Sequence, residues 1–398
     1  MTQTQHASNE QTGTALPASS PANGSPTTTA GPNPPLLTEA DVAAAVSVLR
    51  SGRLGGPDHP EVRRFEELLA SQSGVVHAVA VNSGTAALHC ILQAMRIGPG
   101  DEVIVPAHTF IATATSVLMT GATPVVVDVD QETYCIAPEA ADRAVTRRTK
   151  AVVAVHLNGH PAPTDELPSG IPVISDACQA HGATLHGTPV GALGAAAAFS
   201  FWQDKLVTSC GEGGAILTCD DDIASGVRLL RNHGQQLIGG GPNSHHVELG
   251  YNYRITGVQA AVGRSQLGRL AALVAGRRQR AEQLSALLAD LPGIVTPGSR
   301  PGAGHVYWRF VVAVRDGALR DGRAGLLRAL AGGGVAAAPR YPIPLTRQPV
   351  LSERARLHPC PVAEGLAERL LMLPLPATSA ETDLLAAAAR RAVQSQLN

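Results

Sequence analysis

The chain has 398 residues, 44% of them hydrophobic and 16% charged, which is enough for two or three structural units with large buried cores. Thirty-one Lys and Arg against 32 Asp and Glu leave a net charge of -1, so no general positive field draws nucleic acid or anionic membrane, and any phosphate must be held locally. Six scattered Cys without zinc-like or framework spacing, and no basic segment leading into an apolar one near residue 1, argue against a disulfide scaffold, a structural zinc site and a secretory leader; the expectation is a cytoplasmic protein.

Residues 1–35 are rich in Thr, Ser, Pro, Gly and Asn with few large apolar residues, which predicts a disordered tail. Thr38, an acidic first turn and helically spaced apolar residues ending at Gly52 predict a first helix. Short apolar runs then alternate with amphipathic stretches. Strands are predicted over Ala78–Val81, Glu102–Val105, Pro124–Val129, Ala151–His156 and Pro172–Ser175, and helices over Thr85–Met95 and Thr109–Thr120. An acidic turn at Asp220–Asp222 opens a further helix to Arg231. This order predicts an α/β fold, with a mostly parallel sheet between helices in a large unit over 36–262. A long helical stretch from Gly263 to Leu291, a strand at His305–Val314 and a final helix after Thr378 predict a smaller α+β unit over 263–398.

Four segments of the large unit carry residues suited to one site. At Val81-Asn-Ser-Gly-Thr-Ala-Ala-Leu88 a strand runs into a helix, and the backbone N–H groups of Gly84 and Thr85 offer either a phosphate cradle or a plain cap by Ser83. Asp176 closes a buried strand in Val-Ile-Ser-Asp-Ala-Cys-Gln, where it either caps a following helix or holds a protonated ring nitrogen, with Gln179 nearby. Lys205 follows Phe199, Phe201 and Trp202 and precedes Gly211-Glu-Gly-Gly214; burial there lowers an amine's pKa and makes it nucleophilic. Ser200 is a candidate phosphate donor, and Gly250-Tyr-Asn-Tyr-Arg254 is a polar loop before an N-cap at Thr256. His181, His233, His245 and His246 lack spaced acidic or Cys partners and read as core or loop histidines, with no metal expected.

The motifs N-S-G-T-A-A-L, P-G-D-E-V-I-V-P-A-H-T-F, D-A-C-Q-A-H-G, F-S-F-W-Q-D-K, G-E-G-G, R-N-H-G and G-Y-N-Y-R stand in one order from about Leu36 to Pro376. In this the sequence resembles the DegT/DnrJ/EryC/StrS family of pyridoxal-phosphate-dependent sugar and cyclitol aminotransferases, of the aspartate aminotransferase fold (fold type I). The resemblance implies pyridoxal 5'-phosphate held covalently by Lys205, which also moves the proton. It further implies Asp176 on the pyridine nitrogen, Gln179 on the phenolic oxygen, Gly84, Thr85 and Ser200 around the phosphate, and Phe110 on the ring face. It implies a homodimer in which Asn252, and less directly Arg254, enters the neighbouring site. Some relatives carry His at the position of Lys205 and dehydrate; the lysine here implies transamination, with glutamate or glutamine as donor and a keto sugar, nucleotide-linked, as acceptor in amino-sugar or antibiotic biosynthesis.

The same resemblance leaves a cyclitol ketone such as an inosose, or an aminohydroxybenzoate synthase-like reaction, as alternatives. A regulator without turnover is disfavoured by the retained lysine, aspartate and phosphate positions. Departures cluster where substrate is expected. Arg340 and Thr346 stand at the two histidine positions of an H-Y-P-x-P-x-H-x-Q-P stretch, Asn158 replaces a frequent tyrosine, Cys178 a common alanine, and Trp202 a Tyr or Gln. Trp202, Arg254, Arg340 and Tyr341 are therefore candidate substrate contacts, Arg340 either toward a diphosphate or as a surface ion-pair residue.

Overall fold

A computed structural model describes residues 37–237 and 244–397; the tail expected over 1–35 lies outside the described residues. Helix α1 (Glu39–Ser51) starts at a capping box in which Asp41 Oδ2 accepts from the Thr38 backbone N–H at 2.9 Å, and it ends on Gly52 at φ 70. Helix α2 (Pro60–Ser73) buries Phe65 and leads into the first strand.

The large sheet is built from β1 (His77–Val81), β2 (Glu102–Pro106), β3 (Thr123–Val127), β4 (Thr149–Val155), β5 (Val173–Asp176), β6 (Ala196–Ser200) and β7 (Gly214–Thr218). Its spatial order is β1-β7-β6-β5-β4-β2-β3, and Arg356–Leu357 adds in parallel beside β3. All neighbours are parallel except β7, which runs antiparallel to β1 and β6 because residues 201–213 return without a crossover helix. Helices α3 (Gly84–Ala94), α4 (Ala112–Met119), α5 (Pro138–Ala144) and α6 (Asp221–Arg231) cover strands buried along nearly their whole length, as their apolar composition predicts. Val81 and Ser200 both pair with Gly214, and Asp176 pairs with Ala198 and Val155, so the carboxyl ends of β1, β4, β5 and β6 share one edge.

The helical stretch expected from Gly263 to Leu291 is two helices, α7 (Gly257–Leu267) and α8 (Leu270–Leu288). Arg269 leaves helical geometry between them and sends both guanidinium nitrogens to Asp41, at 2.9 and 2.6 Å. The unit boundary expected at residue 262 falls inside α7, which a capping box at Thr256 starts five residues earlier and which packs on α1 and α2. Beyond α8, Ile294–Val295, Phe310–Val314, Leu370–Leu373 and Ala338–Pro339 form an antiparallel sheet packed by α8, α9 (Gly322–Gly332) and, after α10 (Pro361–Arg369), α11 (Ser379–Gln394). The strand expected from His305 begins only at Phe310. The preceding residues bond instead to the turn at 157–159, through Val306 N–H to Gly159 O at 3.0 Å and Arg309 N–H to Asn158 O at 3.3 Å. Among the described residues no helix is long and apolar enough to cross a membrane.

Asp41 is 1% exposed, and although burial alone would raise its pKa, its bonds to Arg269 and the Thr38 backbone outweigh burial and hold it well below the usual carboxylate range. Asp41→Asn is expected to cost about 2–3 kcal/mol at pH 7, below the fully buried range because Arg269 is 25% exposed. A folded-state pKa below the unfolded value means the contribution is present at neutral pH and lost on acidification. The difference in thermal midpoint between wild type and variant should therefore narrow as pH falls from about 4 toward 2.

Candidate active site

The shared edge is assembled around residues without side-chain bulk. Ser83 Oγ accepts from Ala86 N–H at 3.1 Å, capping α3, and the N–H groups of Gly84 and Thr85 precede the first helical bond. A Cβ on Gly84 would lie 2.7 Å from Cys178 Sγ and 2.8 Å from Ser200 Cβ, and one on Gly214 would collide with the Ser83 carbonyl. Three of the four segments singled out in the sequence thus meet at this helix N-terminus, where free N–H groups and the helix dipole favour an anion.

Asp176 lies beside them at the end of β5 and is 5% exposed. No helix follows it, so the capping reading fails; Oδ2 accepts from Thr113 Oγ1 at 2.9 Å and Oδ1 from Cys178 N–H at 3.3 Å. Gln179 is held from three sides. Its Oε1 accepts from Asn158 N–H at 2.9 Å and Arg340 Nη2 at 3.0 Å, and its Nε2 donates to Tyr341 Oη at 3.1 Å.

Lys205 is partly buried, but the ring that faces it is not one of its sequence neighbours. Phe201 packs edge-on against Phe65 and Phe199 against His181, both inside the core, while Trp202 is 37% exposed. The Lys205 Nζ sits 4.1 Å from the centroid of Trp308, which sequence reasoning missed because Trp308 lies in the segment read as strand. That indole is fixed by its Nε1–H donating to Asp204 O at 2.7 Å, and Arg309 stacks on it at 4.5 Å while pairing with Asp204 at 3.3 Å. Burial pushes the Lys205 amine down to about 8, with Arg340 and Arg309 acting in the same direction against Asp176.

Arg340 is 8% exposed, which excludes the surface ion-pair reading. Its Nε donates to Asn158 Oδ1 at 2.8 Å and its Nη2 to Tyr341 Oη at 3.0 Å as well as to Gln179. Asn158 and Tyr341 hold this position with left-handed backbones, φ 55 and 44. His108 packs edge-on against Tyr341 with ring centroids 5.6 Å apart, its pKa lowered to about 3 by burial and by Arg340. Thr346, at the other histidine position, turns toward Glu364.

The remaining candidates stand apart. Phe110 is 55% exposed at the approach to α4. Asn252 is exposed and bridges Asn232 through its backbone, and Arg254 donates to Asn232 Oδ1 at 2.8 Å. Asn82, next to Ser83, bonds this loop through Asn252 O and Tyr253 O, but among the described residues no hydrogen bond joins Asn252 or Arg254 to Lys205, Asp176 or Arg340. His181, His233 and His245–His246 occupy core, turn and hairpin positions, and no group of metal-ligating side chains is found among the described residues.

An amine, a carboxylate and an anion-binding helix start at the carboxyl edge of such a sheet fit an enzyme of group transfer. Residues 35–387 match the model of the DegT/DnrJ/EryC1/StrS aminotransferase family, and the chain belongs to that family of aminotransferases. It is 41% identical over 79% of its length to a UDP-N-acetyl-3-dehydro-α-D-glucosamine 3-aminotransferase of Acidithiobacillus ferrooxidans, covering 83% of that protein. It is 39% identical over 85% of its length to a dTDP-3-amino-3,4,6-trideoxy-α-D-glucose transaminase of Streptomyces venezuelae, covering 88% of it. Among solved structures, an aminotransferase from Psychrobacter cryohalolentis is similar with a TM-score of 0.86 at 31% identity, covering 92% of this chain and 99% of that one.

Competitive acetylation with peptide mapping should show Lys205 gaining reactivity with pH through a midpoint near 8. Trp308→Leu, which removes the ring face that favours the ammonium, should shift that midpoint downward by a few tenths of a unit, as expected for a cation–π contact worth about 0.5–1 kcal/mol.

Proposed function

We propose that this chain is a pyridoxal-phosphate-dependent aminotransferase that moves an amino group from glutamate or glutamine to the ketone of a nucleotide-linked sugar. The observation that carries this reading is Lys205 with a lowered pKa at the same sheet edge as the buried carboxylate of Asp176. The names of the two relatives above both place an amino group at C3 of a nucleotide-linked sugar, so a 3-keto hexose is the proposed acceptor.

The residues present fit the cofactor. Gly84 and Thr85 N–H groups and the Ser200 hydroxyl suit a phosphate at the start of α3, and Asp176 keeps lone pairs free beyond its two bonds. When bound, pyridoxal phosphate supplies an electron sink for the pair released as a C–H bond breaks beside the amine. With a pKa near 8, Lys205 is partly neutral at physiological pH, so one amine serves as nucleophile and then accepts and returns a proton at Nζ. Asp176, withdrawn from water, favours a protonated nitrogen opposite it. Gln179 is oriented by Asn158 and Arg340 toward the same region, Phe110 is assigned to a ring face, and Asn252 with Arg254 to the neighbouring subunit's site in a homodimer.

The full chain given pyridoxal phosphate, glutamate or glutamine, and UDP- or dTDP-linked 3-keto hexoses should yield the 3-amino sugar by mass spectrometry. Lys205→Ala should lower turnover by at least about a thousandfold, the combined loss of nucleophile and proton carrier. Full activity in that variant, or amination of an inosose with no turnover of any nucleotide sugar, would overturn the reading or its acceptor.

A further inference from the structure

The segment that brings Trp308 to Lys205 runs from the short pairing of Ala303–Gly304 to the strand Phe310–Val314, and its residues 305–309 pair with no strand among the described residues. Main-chain carbonyls withdrawn from water need partners, and two adjacent arginines of α8 supply them. Arg278 donates from Nη2 to Gly304 O at 2.9 Å and from Nε to His305 O at 2.8 Å. Arg277 donates from Nε and Nη2 to Tyr307 O at 3.1 and 2.8 Å, and from Nη2 to Trp308 O at 3.0 Å. On the opposite side the turn at 157–159 accepts from the N–H groups of Val306 and Arg309. Gly159, at φ 96, brings that turn so near that a Cβ there would lie 2.8 Å from Trp308 N. The segment is thus gripped from both sides, and Tyr307 holds a left-handed φ of 48 within the grip.

The two arginines hold different stretches. Arg278 secures the entry, whereas Arg277 secures the carbonyl of Trp308 itself and that of the residue before it. One turn further along α8, Ala281 begins the stretch buried in the core of the small unit, so Arg277 stands on a helix fixed beyond it. A planar guanidinium fork reaches two successive carbonyls at once, which a point-charged ammonium does not do with the same geometry. The Trp308 indole is 5% exposed and its centroid lies 4.1 Å from Lys205 Nζ. With that backbone free to shift, the indole would admit water to an amine whose lowered pKa depends first on burial. We propose that Arg277 is a positioning residue for the Lys205 amine: by fixing the carbonyls of Tyr307 and Trp308 it sets the indole against Nζ and keeps water from it. Its part in amino transfer rests on the aminotransferase reading above; the placement of the indole does not.

The sequence has two tryptophans, so the full chain carrying Trp202→Phe reports on Trp308 alone. In that chain Arg277→Gln should raise acrylamide quenching of the indole severalfold and move its emission to the red. Competitive acetylation should show the Lys205 midpoint rising from near 8 by roughly one unit as water reaches the amine. Arg278→Gln, which loses bonds to the same segment but not beside Trp308, should leave both readouts near the parent values. Arg277→Lys, which keeps the charge without the fork, should recover only part of either change. Unchanged quenching and midpoint in Arg277→Gln overturn the proposal, and so do equal changes in Arg277→Gln and Arg278→Gln, the mark of a general loosening of the segment. Full recovery in Arg277→Lys overturns it in favour of a charge acting directly on the amine. Should Arg277→Gln not fold, Arg277→Lys set against Arg278→Gln carries the same comparison, and equal behaviour of those two overturns the proposal. Neither readout needs turnover. A chain that transfers no amino group yet shows the expected changes supports the positioning and counts against the aminotransferase reading, and a transaminating chain in which Arg277→Gln moves neither readout counts against the positioning alone.

Discussion

The site depends on a packing constraint at the carboxyl edge of the sheet. Helix α3 can begin against β6 and β7 only because Gly84 and Gly214 lack side chains, since a Cβ on either would enter Cys178, Ser200 or the Ser83 carbonyl. That closeness places the free N–H groups of α3, the hydroxyl of Ser200 and the carboxylate of Asp176 along one edge, on strands buried too deeply to shift. Gly214, the last glycine of the run at 211–214, is thereby a requirement of the fold before it is one of chemistry.

A second layer comes from the chain far downstream. Trp308 and Arg309 arrive because residues 305–309 abandon strand pairing for the turn at 157–159, and Arg340 arrives from the loop after Ala338–Pro339. The result is a cluster of Lys205, Arg309 and Arg340 around one indole, with Asp204 engaged by Arg309. Burial lowers the Lys205 pKa first, Arg340 and Arg309 add to it, and the positive charge of the cluster favours anions there.

Much of this was legible in the sequence. The β/α alternation and the helix starts at Thr38, Ser83, Asp220, Thr256 and Thr378 follow from local rules of spacing and capping, which act over a few residues, whereas Gly84, Asp176 and Lys205 were each ambiguous locally and were singled out by the resemblance of their motifs to a family. What was not legible depends on tertiary partners. Nothing local shows that Arg269 breaks a helix to reach Asp41, that Phe199 and Phe201 turn into the core while Trp308 faces the lysine, or that Arg340 is interior. The break after α7 and the late start of the strand at Phe310 are cases where a long-range bond outweighs periodicity.

The most direct check is to reconstitute the full chain with pyridoxal phosphate, reduce it with borohydride, digest it and map the peptide that carries the cofactor mass. The site described here predicts a single labelled peptide containing Lys205. Label on Lys150, or a protein that takes up no cofactor, would contradict it.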